Sequence, residues 1–160
     1  MSNFEDAVIQ RIKQLEREVE RLQRWERPAY VWQSYTVNWT AETTNPTIGN
    51  GTLAGRYTQI GKTIIGTIAL AMGSTTTYGS GAWHFSLPKS VASGKISVGN
   101  WVAVDTGVPK YYTGNVLIYG GTTDIVQFVR DAGYQWFDPY VPHAWASGDT
   151  LNILFIYEVA

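Results

Sequence analysis

The residues of this chain that could do acid–base or nucleophilic chemistry after position 28 are two histidines, His84 and His143, one serine two residues from a histidine, Ser86, and the carboxylates Glu42, Asp105, Asp124, Asp131, Asp138, Asp149 and Glu158. Ser86, His84 and Asp105 compose a Ser-His-Asp set on paper. A nucleophilic serine of that kind usually stands on a sharp Gly-x-Ser-x-Gly turn before a helix, and Trp83-His84-Phe85-Ser86-Leu87 alternates like a strand instead. Glycoside hydrolysis needs two carboxylates at a defined separation, and these stand singly, although assembly of several copies could bring them together. Cysteine is absent, which removes thiolate catalysis, disulfides and, with no paired histidines, the usual zinc sites. Asp131, Asp138 and Asp149 could offer oxygen to calcium, yet no EF-hand spacing accompanies them, and turn or cap roles explain them more simply. The expectation is a protein that is not an enzyme and holds no metal or cofactor.

Recognition chemistry has more to draw on. Seven Trp and ten Tyr accompany abundant Thr, Asn and Asp, the composition of a surface on which the apolar faces of sugars stack. Most of these rings are expected in a core or an interface, because each buries a large area and carries one polar tip. The exceptions lie near expected loops: Tyr111 and Tyr112 after Pro109, and Trp136, Tyr140 and Trp145 around Pro139 and Pro142. These five are the candidate ligand-binding residues. Nucleic acid is not an expected partner, since the net charge is −1 and Arg56, Lys62, Lys89, Lys95, Lys110 and Arg130 are scattered singly. No apolar run is long enough for membrane insertion, and the charged, helical N-terminus does not read as a secretion signal.

The elements that must position these residues change character at Pro28. Six basic and six acidic residues precede it, about half of all the charges in the chain. Ser2-Asn3-Phe4-Glu5 reads as a capping box. Val8, Ile12, Leu15, Val19 and Leu22 then recur at spacings of 4, 3, 4 and 3, a d-a-d-a-d seam, with Arg11 and Glu16 at flanking positions that could face each other across two helices. Those five residues are the expected oligomerisation contacts. Pro28 lacks an amide donor and disfavours a helical Arg27, so the helix should end there. Residues 1–27 are therefore expected to form a coiled-coil stalk, and residues 28–160 a single head domain. The apolar stripe is narrower than that of a helix packed on its own globule. β-branched Ile12 and Val19 at a, with Leu15 and Leu22 at d, favour a parallel dimer on packing alone.

The head reads as all-β. Short apolar runs at 30–39, 56–60, 62–72, 83–87, 96–104, 116–119, 125–129 and 151–159 are separated by Gly, Pro, Asn, Ser and Thr. Residues 40–55 and 73–81 read as long polar connections. Strands of this number and spacing suggest a β-sandwich, most simply a jelly roll.

The stretch Gly49-Asn50-Gly51-Thr52-Leu53-Ala54-Gly55-Arg56-Tyr57-Thr58-Gln59-Ile60-Gly61-Lys62, then Gly79-Ser80-Gly81-Ala82-Trp83-His84-Phe85-Ser86-Leu87-Pro88, and the closing Gly148-Asp149-Thr150-Leu151 with a last strand ending Tyr157-Glu158, resembles the head domains of bacteriophage and prophage virion proteins. Those heads are similar to trimeric jelly rolls of the C1q and tumour-necrosis-factor type, often mounted on a short N-terminal coiled coil. The resemblance implies a homotrimer rather than the dimer that the seam favours, and a place on the virion exterior after synthesis in the host cytoplasm. It also implies contact with other virion proteins through the stalk. Two roles then compete: a tail-fibre or tail-tip head that recognises a host-surface glycan, and a capsid decoration protein that stabilises the shell without a ligand. The aromatic loops favour the first, the short stalk the second.

Overall fold

The computed structural model describes residues 2–26, 31–125, 127–130 and 133–160. Two compact units are present, Met1–Val31 and Trp32–Ala160. In the first, helix α1 runs Ser2–Glu26, with Glu5 in its first turn beside the positive end of the helix dipole. Its seam residues Val8, Ile12, Leu15, Val19 and Leu22 are all exposed in the single chain. The Glu18–Arg21 pair at 3.5 Å is solvated and adds little to stability. The expected helix stop at Arg27-Pro28 lies outside the described residues.

The second unit is all-β, as expected. Its strands are β1 (Gln33–Tyr35), β2 (Trp39–Ala41), β3 (Thr52–Ile60), β4 (Thr63–Ala71), β5 (Trp83–Ser86), β6 (Ile96–Asp105), β7 (Lys110–Tyr119), β8 (Asp124–Ile125), β9 (Gln127–Arg130), β10 (Gly133–Gln135) and β11 (Thr150–Glu158). Eight form one antiparallel sheet in the order β1-β3-β4-β11-β6-β7-β9-β10, and three form a second in the order β2-β5-β8. This eight-and-three division differs from the two four-stranded sheets of a simple jelly roll. The hairpins β3-β4 and β6-β7 are built from neighbours in sequence, and β11 inserts between them, paired with β4 over its whole length. Gly61 closes the first hairpin at φ 57°, a conformation that costs glycine nothing.

The run at 30–39 does not make one strand. Its middle joins the large sheet as β1 and its end joins the small sheet as β2. At the crossing, the Asn38 N–H donates to Ser86 Oγ at 2.8 Å and the Ser86 N–H to the Asn38 carbonyl at 3.0 Å. The polar connection 40–51 is pinned rather than loose. Asn50 Oδ1 accepts from the Thr75 N–H and hydroxyl, and the Thr76 hydroxyl donates to the Ile48 carbonyl at 2.6 Å.

Aromatic rings fill much of the core. Trp39, Trp83 and Phe85 of the small sheet, Trp101 of β6, and Phe137 and Trp145 from the segment before β11 are all buried. Trp39 meets Trp83 edge-on at 4.8 Å, and Trp101 meets Phe137 edge-on at 4.8 Å, the geometry that the ring quadrupoles favour. Phe155 crosses β4 at its register partner Gly66, where a Cβ would collide with the Phe155 ring. A strand glycine here admits a close approach that any side chain would block.

Candidate functional site

The segment between β10 and β11 carries three of the five candidate ligand-binding residues, and local hydrogen bonds fold it tightly. Asp138 Oδ1 accepts the Tyr140 N–H at 2.6 Å, an Asx turn of the kind expected for this aspartate. The Trp145 indole N–H donates to the Val141 carbonyl at 3.0 Å, and the Trp145 amide to the Pro139 carbonyl at 3.2 Å. Phe137 and Trp145 consequently turn into the core, while Trp136 and Tyr140 stand 40 % and 76 % exposed.

Beneath this segment lies a buried polar centre. Asp149 is fully enclosed, and both of its oxygens are occupied. Oδ1 accepts the Thr106 N–H at 2.9 Å and the Thr106 hydroxyl at 3.1 Å; Oδ2 accepts the Ala146 N–H at 2.8 Å and faces His143 Nε2 at 3.0 Å. Burial alone would raise the Asp149 pKa. The hydrogen bonds from the Thr106 and Ala146 amides, from His143 and from the Thr106 hydroxyl outweigh it and hold the carboxyl below its ordinary value. His143 stacks on Tyr112, with ring centres 5.0 Å apart and planes at 8°, and meets Trp145 at a tilt of 39° with centres 4.5 Å apart. Lys110 Nζ lies 4.8 Å from the centre of the Tyr112 ring, within cation–π range.

Asp105 completes the one grouping of metal-ligating side chains found among the described residues, with one ligand atom from each of Asp105, His143 and Asp149 within 4.8 Å of one another. Asp149 already accepts from four donors, so a cation there would have to break this brace. The arrangement joins the β6-β7 turn, through Thr106, to the start of β11. Of the aspartates considered for calcium, Asp138 makes its own turn, Asp149 makes the brace, and Asp131 lies outside the described residues.

The Ser-His-Asp set is not assembled among the described residues. Ser86 Oγ accepts the Asn38 N–H, His84 is half-buried opposite Thr40 with Nε2 enclosed and unpartnered, and Asp105 belongs with His143.

Of the five candidate ligand residues, three differ in their setting from the expected loops and two keep it. Trp145 is buried because its indole N–H finds the Val141 carbonyl and its ring packs on Trp83 and His143. Tyr112 is half-buried under His143, so neither ring is free to stack on a sugar. Tyr111 and Tyr112 belong to β7 rather than to a loop; Tyr111 is exposed and pairs with Val104. Trp136 and Tyr140 remain on the surface as expected. Sequence reasoning passed over Trp32, 43 % exposed, whose ring lies 5.4 Å from the Arg56 guanidinium carbon. It also passed over the His143–Asp149 pair, for which the spacing of six residues across Gly148 was the available signal.

No protein-family model matches the chain, and no solved structure matches it. Over 126 residues, 78 % of its length, the chain is 30 % identical to the Mu-like prophage FluMu defective tail fiber protein of Haemophilus influenzae. The matched part is 20 % of that relative, so this chain spans about a fifth of the curated protein it resembles. The likeness is thus to part of a protein named as a prophage tail fiber.

Proposed function

We propose that this chain is a non-enzymatic, homotrimeric tail-fibre-type head that recognises a glycan on the host surface and is displayed on the virion exterior. The observation that carries the reading is the match to a protein named as a prophage tail fiber, which extends over most of the chain. The separation into a helix with an exposed apolar seam and an all-β head supports it. In this reading Val8, Ile12, Leu15, Val19 and Leu22 gather three chains, with other virion proteins as further partners of the stalk, and the heads form a sandwich of the trimeric jelly-roll kind. Trp136 and Tyr140 offer exposed rings beside the polar Asp138, a platform suited to an apolar sugar face. Weak single sites would gain avidity from several copies.

The test is binding of the full chain to a panel of bacterial surface glycans and to host cells. A Trp136→Ala, Tyr140→Ala double variant should lose at least tenfold in binding, while its unfolding free energy changes by no more than about 1.5 kcal/mol, since Tyr140 is on the surface and Trp136 is partly in water. An empty glycan screen together with binding to capsid shells would replace this reading with capsid decoration.

A further inference from the structure

Four strands at the centre of the large sheet, β4, β11, β6 and β7, are nine or ten residues long and lie side by side, β11 pairing with β4 over nine residues and with β6 over six, and β6 with β7 over ten. Their inward positions make the core. Antiparallel sheets with one solvated face normally place polar residues outward. Here Ile96, Val98, Leu154, Ile156 and Tyr111 point outward and are exposed, Ile96 at 68 % and Val98 at 61 %, interspersed with the uncharged Thr67, Asn100, Thr113, Asn115 and Asn152. Glu158, at the end of β11, is the one charged residue at an outward position on these four strands. A shallow depression of about 390 Å³ lies in this face, bordered by Thr67, Ala69, Asn100, Val102, Asn152 and Leu154.

We propose that this outer sheet face is an interface on which a second copy of the same head packs. The inference rests on the self-association in the reading above and not on glycan recognition. Strands rise about 3.3 Å per residue and lie about 4.8 Å apart, so the four cover roughly 600 Å² before side-chain relief is added. A standard specific interface takes about 800 Å² from each partner, so the face is of the right size. A nearly uncharged surface offers nothing to a strongly charged partner and does not repel its own copy, and exposed apolar residues among uncharged Asn and Thr can both pack and hydrogen-bond across a contact. The same chain supplies the means of bringing copies together, because the exposed seam of α1 repeats the heptad pattern of a self-pairing helix. Once copies are joined there, the heads meet at high effective concentration, and even a modest affinity of one head for this face of its neighbour is enough.

The chain has no cysteine, so a single introduced thiol reports cleanly. In the full chain, the Asn152→Cys thiol should cross-link between copies with a short bis-maleimide at least tenfold more than a Ser93→Cys thiol in an exposed loop, and should resist a bulky maleimide. Adding Leu154→Asp should abolish that cross-link while the circular dichroism spectrum is kept; if that variant does not fold, Val98→Asp serves in its place. An Asn152→Cys thiol that reacts as fast as Ser93→Cys overturns the proposal; one that is protected without cross-linking upholds it, because Asn152 is exposed in the single chain and a different patch of the neighbouring head must then cover it. Light scattering on the same sample separates the two ideas. An oligomer with a freely reactive Asn152→Cys thiol removes this interface and leaves helix-driven assembly standing; a monomer removes both.

Discussion

In the middle of β11, residues 153–156, two faces of one strand are built from similar residues and have opposite surroundings. Along β11, Leu151, Ile153, Phe155 and Tyr157 are sealed in the core, while Leu154 and Ile156, one residue away, are 42 % and 46 % exposed. Hydrophobicity alone does not distinguish the two rows over 153–156, although Thr150, Asn152 and Glu158 of the outer row are polar. The inner row is set apart by what faces it: Phe155 lies against Gly66, and Trp101 from β6 packs on Phe137. Burial by the chain's own residues defines a core, whereas an apolar row without such cover is available to another molecule.

That comparison breaks if neighbouring residues on β11 respond alike to truncation. Phe155→Ala should cost about 3–5 kcal/mol in denaturant unfolding, the range for emptying a large aromatic from a packed core. A loss under about 1 kcal/mol would mean that the inner face is not the packed one. The buried brace gives the next largest effect. Asp149→Ala strands the Thr106 and Ala146 amides and should cost about 3 kcal/mol, as for breaking a buried hydrogen-bonded carboxylate. Because the folded Asp149 pKa is lowered, its contribution is fully present above the unfolded value of about 3.9 and is lost as pH falls through the lower folded pKa. The stability gap between the native chain and Asp149→Ala should therefore be constant above about pH 5 and shrink below about pH 4. A gap unchanged down to about pH 2 would remove the lowered pKa from the account. The smallest effect is on the outer row: Leu154→Ala should change the unfolding free energy of the isolated chain by less than about 1 kcal/mol, since much of its area is already in water. A larger loss, with no change in native mass, would make the outer face a second core.

Much of the fold was legible because alternation survives wherever one side of a strand is packed. The runs 62–72, 96–104 and 151–159 became β4, β6 and β11 with boundaries shifted by at most one residue. The start of β7 was hidden because Lys110-Tyr111-Tyr112-Thr113-Gly114-Asn115 mixes aromatic and turn-forming residues after a proline, and only pairing with β6 makes it a strand. The split of 30–39 was hidden for a similar reason: the residues at its middle and its end alternate correctly, but they do so for two different sheets. At the candidate site, the exposure of Trp136 and Tyr140 followed from their loop. The burial of Trp145 depended on the Val141 carbonyl, and the His143–Asp149 brace on Thr106, more than forty residues away in the chain. Contacts of that kind leave no local pattern.

Gly66 and Phe155 also constrain how this sequence can change over generations. The ring fills the space that a side chain at 66 would need, so the two positions can drift only as a pair and in one order. Residue 155 must shrink before residue 66 can grow. Relatives that carry a side chain at the position equivalent to Gly66 are then expected to carry a smaller residue opposite it, and a lineage keeping the phenylalanine should keep the glycine however far the rest of the head diverges.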